Sequence, residues 1–191
     1  NQISLYIAAY NAEKTIEKSI NSILQQTLKP KEIIIINDCS TDKTLKLLKK
    51  FNQIKIINNK KNYGLAKSRN IALKYSKYNF LASIDSDVVC KKNWLEILFN
   101  TMVKKKADLI GGKLIDKYIK EPANHWRSYY LKQNWGDKQI NNPQFIFGAN
   151  FLLNKKKIKN LNIKYNETFR TNGEDVNFSK VLKSRNCNLY Y

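Results

Sequence analysis

Two aspartates separated by one residue, Asp85-Ser86-Asp87, can aim two carboxylates at one hard divalent cation, and such an ion can neutralise a diphosphate. An Asp-x-Asp turn has a plainer reading too, in which one carboxylate caps a helix entering at Lys91 or Asn93. Asp38 can accept a hydrogen bond from the ring N–H of a nucleotide base, and Tyr10 can offer a stacking face or sit at the edge of the core. Nearby Ser40 and Asp42 read as helix-capping residues. Arg69, an always-charged fork on a helix otherwise supplied with Lys, suits a base or a phosphate if it faces a cleft, and solvent if it does not. Gly173-Glu174-Asp175 puts two acids at the start of a helix, where they can stabilise the dipole or deprotonate a hydroxyl. Gly148-Ala149-Asn150, between two apolar segments, can line a cleft with backbone or form a turn or bulge.

Those groups matter only if the fold gathers them, and the apolar pattern says how it does so. Short strand and helix patterns alternate through the first half, which predicts a parallel sheet wrapped by helices. Strands are expected at Ile3 to Ala8, Ile33 to Ile36, Ile54 to Ile57 and Phe80 to Ile84. Helices are expected after Asn11 as cap, with Ile16, Ile20, Ile23 and Leu24 at helical spacing, then through Leu45 to Leu48, and from Leu65 to Tyr75. Beyond Asp87 the pattern predicts a helix from Trp94 to Met102, a strand near Leu109 to Leu114, and an irregular aromatic stretch through Trp126, Tyr129, Tyr130 and Trp135. Phe145 to Phe147 and Phe151 to Leu153 read as strands, Val176 to Leu182 as a helix, and Leu189 to Tyr191 as a closing strand that stops abruptly, so the domain is expected to continue. Ligands of an open parallel sheet bind at the carboxyl ends of its strands, where Tyr10, Asp38, Asp85 and Asp87 all fall.

The 191 residues carry 35 basic against 15 acidic side chains, a net charge of +20. Of the basic residues 31 are Lys and four Arg, whereas planar phosphate readers are Arg-enriched, so no nucleic-acid partner is expected. Lys, Asn and Ile make up 78 of the residues, a bias of the kind AT-rich coding produces; an anionic membrane surface is the charged partner that fits better. Three cysteines, Cys39, Cys90 and Cys187, without metal spacing, point to a reducing compartment and so to the cytoplasm. No apolar run approaches the roughly 20 residues of a membrane-spanning helix, and Asn1 opens on a strand pattern instead of a signal peptide. G-x-x-x-x-G-K-[ST], G-x-G-x-x-G and G-x-S-x-G are all missing, and His125 is the single histidine, which argues against P-loop, dinucleotide and triad chemistry.

Taken in order, five segments resemble the family 2 glycosyltransferases of the GT-A fold. They are Ile7-Ala8-Ala9-Tyr10-Asn11 with the helix to Gln25-Gln26-Thr27, Ile36-Asn37-Asp38-Cys39-Ser40-Thr41-Asp42-Lys43-Thr44, Asn62-Tyr63-Gly64-Leu65-Ala66-Lys67-Ser68-Arg69-Asn70, Asp85-Ser86-Asp87 and Gly173-Glu174-Asp175. The resemblance implies an α/β protein with a Rossmann-like, mostly parallel central sheet flanked by helices, an αβα sandwich. It implies one domain over 1–191, with a nucleotide-sugar half at 1–90 and an acceptor half at 91–191. The activity implied is inverting transfer of a sugar from a nucleotide-sugar, UDP-sugar favoured, to a glycan or lipid-linked acceptor hydroxyl in cell-surface glycan synthesis, with Mn²⁺ or Mg²⁺. By position, Ala8, Tyr10, Asp38, Arg69, Asp85 and Ser86 would hold the nucleotide-sugar, Asp85 and Asp87 the metal, and Asp175 would be the base. Gly148, Ala149, Asn150 and Glu174 would border the acceptor or donor sugar. Ala8 stands where the family often has Pro, Asn37 where it often has an acid, and no late histidine is present. Two rivals differ in class: a sugar-phosphate nucleotidyltransferase, which needs a Gly-rich basic loop that Ala8 to Asn11 lacks, and a non-catalytic module binding nucleic acid or lipid by charge. Cytoplasmic residence, at the inner membrane face, is the expected location.

Overall fold

Ile33 to Ile36 is an unbroken β-branched run, which a strand can bury only if both faces of its sheet are covered. The computed structural model, which describes residues 2–116, 133–170 and 172–191, covers both faces. Alternate residues of β1 (Ile3–Ala9), β2 (Glu32–Asn37) and β4 (Phe80–Ile84) point to opposite layers. Ile3, Leu5, Ile7, Ile33, Ile35, Ala82 and Ile84 meet helices α1 (Ile16–Leu24) and α4 (Trp94–Lys105). Tyr6, Ile34, Ile36 and Leu81 meet α3 (Leu65–Tyr75) and the last helix, α6 (Glu174–Ser184). Each fully buried Ile of these strands is worth about 1.5–3 kcal/mol relative to exposure.

The remaining elements are α2 (Thr44–Leu48), β3 (Lys55–Asn58), β5 (Leu109–Gly111), β6 (Asn150–Asn154), α5 (Lys155–Asn160) and β7 (Leu189–Tyr190). They complete a seven-stranded sheet of order β3-β2-β1-β4-β6-β5-β7. β1, β2, β3 and β4 are parallel, β6 runs antiparallel between β4 and β5, and β7 is parallel to β5. The chain leaves β1 toward β2 and β3, then returns to β4 on the other side of β1, so a crevice opens beyond the carboxyl ends of β1 and β4. Because β6 is antiparallel, Asn150 at its start pairs with Ile84 at the end of β4, which brings Gly148 to Asn150 to that same crevice.

Three local expectations change. Asn11 does not cap α1; it sits in the left-handed region (φ 49°), accepts from the Thr41 amide at 2.8 Å, and gives its own amide to Ser40 Oγ at 3.0 Å. Phe145 to Phe147 is not a strand, because side chains satisfy its backbone: Trp135 Nε1 donates to the Phe145 carbonyl at 2.9 Å and the Ile146 amide donates to Ser179 Oγ at 3.1 Å. Helix α5 carries a single buried apolar residue, Ile158, too little for a periodic signal. Trp126, Tyr129, Tyr130 and His125 lie outside the described residues.

Candidate active site

Beyond β1 and β4 lies a cleft of about 620 Å³ lined by Ala8, Tyr10, Asn11, Lys14, Asp42, Leu65, Asp85, Ser86 and Asp87 among others. Tyr10 stands 51% exposed on its wall, with its ring available to a planar ligand. Asp38, just past β2, is buried and accepts from Asn59 Nδ2 at 2.6 Å and from the Tyr63 and Gly64 amides at 3.0 and 2.8 Å. A carboxylate has about four acceptor sites, so three bonds pin the Asn59 to Gly64 loop, and Asp38, expected at the nucleotide, does not line the cleft. Asp42 precedes the N-cap of α2, Lys43, and so is not the cap itself; it takes the Thr44 amide at 2.9 Å and also the Glu13 amide at 3.0 Å, tying the loops after β1 and β2 together. Burial would raise its carboxyl, but these bonds outweigh burial and hold it below the usual carboxylate range. Ser40 caps nothing; its hydroxyl receives the Asn11 amide.

At the end of β4 the chain turns through Asp85-Ser86-Asp87, closed by the Val88 amide on the Asp85 carbonyl at 3.1 Å, while the Ser86 carbonyl receives Ser19 Oγ at 2.8 Å. The side chain of Asp85 is 38% exposed. Among the described residues neither carboxylate accepts a hydrogen bond, and α4 begins at Trp94 without a side-chain cap, so neither acid serves as a cap there. Desolvation raises the Asp85 carboxyl, Arg69 pulls it down, and the charges of Asp87 and Asp175 push it up again. The end of β4 and the start of α6 meet at one segment, since the Asp85 amide donates to the Ala149 carbonyl at 3.3 Å and the Gly148 amide donates to Asp175 Oδ2 at 2.9 Å. The described residues contain no cluster of three His, Cys, Asp or Glu that would cage a metal by itself. Two carboxylates on one turn, Asp87 exposed and Asp85 held only loosely by Arg69 at 3.5 Å, suit an ion such as Mg²⁺ or Mn²⁺, which takes one or two protein carboxylates and completes its shell with phosphate oxygens and water.

The floor of the cleft is built on Arg69. It was expected to line the cleft; instead it is 2% exposed and its guanidinium is taken up inside the protein. Nη1 donates to the Gly148 carbonyl at 2.8 Å and to Tyr6 Oη at 3.2 Å; Nη2 lies 3.5 Å from Asp85 Oδ1 and Nε 3.4 Å from Glu174 Oε1. Tyr165, stacked on Phe178 at 3.9 Å between centroids, puts its ring 5.7 Å from the guanidinium carbon. Burial disfavours the Arg69 charge, but Tyr6, Tyr165, Asp85 and Glu174 more than offset this and keep it cationic.

Glu174, expected at the sugar, is likewise buried at 3% exposure, because the guanidinium beneath the floor draws it inward. Burial raises its carboxyl, Arg69 lowers it and Asp175 raises it further. Asp175 takes the other direction from the same helical turn, with Oδ2 accepting from the Gly148 amide at 2.9 Å and Oδ1 from the Val176 amide at 2.7 Å. Gly148, Ala149 and Asn150 were expected to line the cleft and instead lie beneath it with their groups committed. The Ala149 carbonyl receives the Asp85 amide at 3.3 Å, and Asn150 Oδ1 receives Trp94 Nε1 at 2.7 Å while its amide nitrogen donates to the Lys113 carbonyl at 3.3 Å. Tyr6, Ser83, Trp94 and Tyr165 complete this floor and were not among the residues singled out in the sequence. Tyr6 alone left a trace there, as a polar-tipped ring inside a buried strand that requires a partner.

The profile of Glycosyl transferase family 2 matches residues 4–173. An Escherichia coli protein named UDP-Glc:alpha-D-GlcNAc-diphosphoundecaprenol beta-1,3-glucosyltransferase WfaP is 46% identical over 98% of this chain and 74% of its own length. An uncharacterized glycosyltransferase of Haemophilus influenzae is 30% identical over 88% of this chain and 58% of its own, and WfgD of E. coli, which bears the same functional name as WfaP, is 37% identical over 58% and 44%. The chain thus spans about half the length of those last two relatives. The crystal structure of residues 1–349 of S. aureus TarS superimposes with a TM-score of 0.79 over 100% of this chain and 57% of TarS, at 22% identity, which shows the fold and meets the expectation of a GT-A sheet. The chain belongs to glycosyl transferase family 2.

Proposed function

We propose that this chain transfers glucose from UDP-glucose, with inversion, to a hydroxyl of a lipid-linked glycan acceptor in bacterial cell-surface glycan synthesis. The observation that carries the reading is a cleft lined by Asp85, Asp87 and the exposed ring of Tyr10, with Asp175 tied through the Gly148 amide to the 148–149 segment that also receives the Asp85 amide. The named reaction of WfaP and WfgD supports the choice of donor and acceptor, and TarS structures that contain UDP or UDP-GlcNAc support a uridine nucleotide. The nucleotidyltransferase and the charge-binding module lose ground to this reading, since neither gives a use to the acid pair at the start of α6.

In this reading Tyr10 stacks on the base, Ala8 and Ser86 border the nucleotide, and Asp38, buried just past β2, accepts the ring N–H of the base once the ligand enters. Asp85 and Asp87 hold Mn²⁺ or Mg²⁺, which when bound neutralises the charge developing on the departing diphosphate. Asp175, fixed by the Gly148 and Val176 amides, takes the proton of the acceptor hydroxyl as it attacks the sugar from the opposite face. An anionic membrane face, attracted by the +20 net charge, is the place where a lipid-linked acceptor is met; among the described residues no helix is long and apolar enough to cross a membrane.

The test is transfer of labelled glucose from UDP-glucose to a GlcNAc-diphospho-lipid analogue. Product is expected with Mn²⁺ and not with EDTA, and Asp87→Ala is expected to abolish metal-dependent binding of UDP in calorimetry. Unchanged Mn²⁺-dependent affinity in Asp87→Ala would remove the metal assignment. Transfer from another nucleotide-sugar but not from UDP-glucose would remove the donor.

A further inference from the structure

We propose that Arg69 is a positioning residue that couples the donor-side carboxylate Asp85 to the acceptor-side carboxylate Asp175 through the Gly148 peptide, and that it does not touch the nucleotide. The inference rests on the functional reading above and assigns within it the part that buried charge plays.

Three observations meet at this group. First, its guanidinium has no open face: Tyr6, Asp85, Glu174 and the Gly148 carbonyl surround it, and Arg69 is 2% exposed. Second, both faces of one residue carry the coupling, since the Gly148 carbonyl receives Arg69 Nη1 while the Gly148 amide donates to Asp175 Oδ2. Third, the ion pairs are loose. Nη2 to Asp85 is 3.5 Å, Nε to Glu174 is 3.4 Å, and Nε has no hydrogen-bond partner despite full burial. Charge-assisted N–H···O bonds close to about 2.7–2.9 Å when geometry permits. One fork reaching two acids on separate elements cannot close on both.

That geometry makes Arg69 a balance between the ends of β4 and the start of α6. When a cation engages Asp85, the guanidinium loses part of its attraction on that side and tightens on Glu174 and on the Gly148 carbonyl. Gly148 then holds Asp175 more firmly. Donor loading and base placement become linked, in the sense that a ligand acts only through its different interaction with two arrangements. The close approach is sterically enforced, because a Cβ on residue 148 would lie 2.3 Å from Nη2. Any residue but glycine there would push the fork away.

Arg69→Lys keeps the charge and removes the fork, and three measurements on it decide the matter. Hydrogen exchange at the Gly148 amide in metal-free protein is expected to quicken about tenfold or more, since the Gly148 carbonyl loses the donor that fixes the segment presenting this amide to Asp175. Calorimetry with UDP and Mn²⁺ is expected to give affinity within about threefold of wild type, whereas kcat for transfer falls about 100-fold. In Arg69→Lys/Asp175→Asn the Lys change is expected to cost less than about threefold beyond Asp175→Asn alone, because both losses pass through one group. A donor affinity weakened more than tenfold with Gly148 still protected would make Arg69 a nucleotide ligand and overturn the proposal, as would multiplying losses in the double variant. Should Arg69→Lys fail to fold by circular dichroism, Glu174→Gln, nearly isosteric, is expected to give the same exchange and kinetic signature, and its absence would overturn the proposal equally. If wild-type protein binds no UDP, the donor reading fails, while Gly148 exchange still decides the coupling.

Discussion

Gly148→Ala is the sharpest perturbation of the cleft floor, since it adds one methyl group and no charge. A Cβ there would meet Arg69 Nη2 at 2.3 Å, Cζ at 2.8 Å and Nη1 at 3.0 Å, so the nearest contact falls about 1 Å short of ordinary van der Waals separation. The contacted atoms end a long side chain, but that chain is buried and fixed by Tyr6, Asp85 and Glu174, which removes the easy retreat. Overpacking a close-packed site costs about 1–3 kcal/mol, and a hydrogen bond to a charged group, here the Gly148 carbonyl to Arg69, is worth about 1.5–3 kcal/mol. Since relaxation relieves one at the expense of the other, the combined loss is about 2–4 kcal/mol. For a domain of this size that lowers Tm by about 5–15 °C. Urea denaturation and a thermal melt give the stability, and transfer assays below Tm are expected to show kcat falling more than donor affinity. A Tm within 2 °C of wild type, with turnover intact, would refute the reasoning, because it would mean that the fork can move freely beneath the floor.

Other expected outcomes can be checked with simpler assays. Burial pushes the Cys90 thiol up to about 12, against a hydrogen bond with Ser22 that lowers it, so at pH 8 only about one molecule in 10⁴ carries the thiolate. Burial raises Cys187 as well, and Cys39 is therefore expected to be the single fast site for a disulfide reagent; a fast phase that persists in Cys39→Ala would contradict this. Asp42 is held below its unfolded pKa, so its contribution to stability is present above about pH 4 and is lost as pH falls through the folded value. The Tm gap between wild type and Asp42→Asn is thus expected to shrink from pH 5 to pH 3, and a constant gap would refute the assignment. Binding to liposomes is expected to rise with anionic lipid and to vanish at high salt, whereas salt-resistant binding to neutral vesicles would rule out the electrostatic explanation.

The sheet was legible because its signal is local. Ile33 to Ile36 names a strand buried on both faces, Ile16, Ile20 and Ile23 name one helix face, and the strand-end rule then places Tyr10, Asp85 and Asp87 at one crevice, with Asp38 buried outside its lining. The antiparallel insertion of β6 was not legible, since nothing in Phe151 to Leu153 says which neighbour it takes. Nor was the direction of charged side chains. Arg69 and Glu174 look like cleft residues in sequence, but their mutual attraction offsets the cost of burial, and that pairing spans elements far apart in the chain. Asp175 next to Glu174 stays half-buried because it meets a backbone amide instead. The same limit hid Trp94, whose indole finds Asn150 only after α4 and β6 have packed.

Asp175→Asn decides whether the cleft performs glycosyl transfer with Asp175 as its base. The substitution keeps shape and can keep one of the two bonds to the Gly148 and Val176 amides, so the expected result is a Tm lowered by no more than about 10 °C, with the fold kept and UDP affinity with Mn²⁺ unchanged. Transfer from UDP-glucose is expected to fall by about 10²- to 10⁴-fold, the usual worth of a positioned general base. Wild-type turnover in this variant would contradict the reading and leave Asp175 as a charge at the start of a helix.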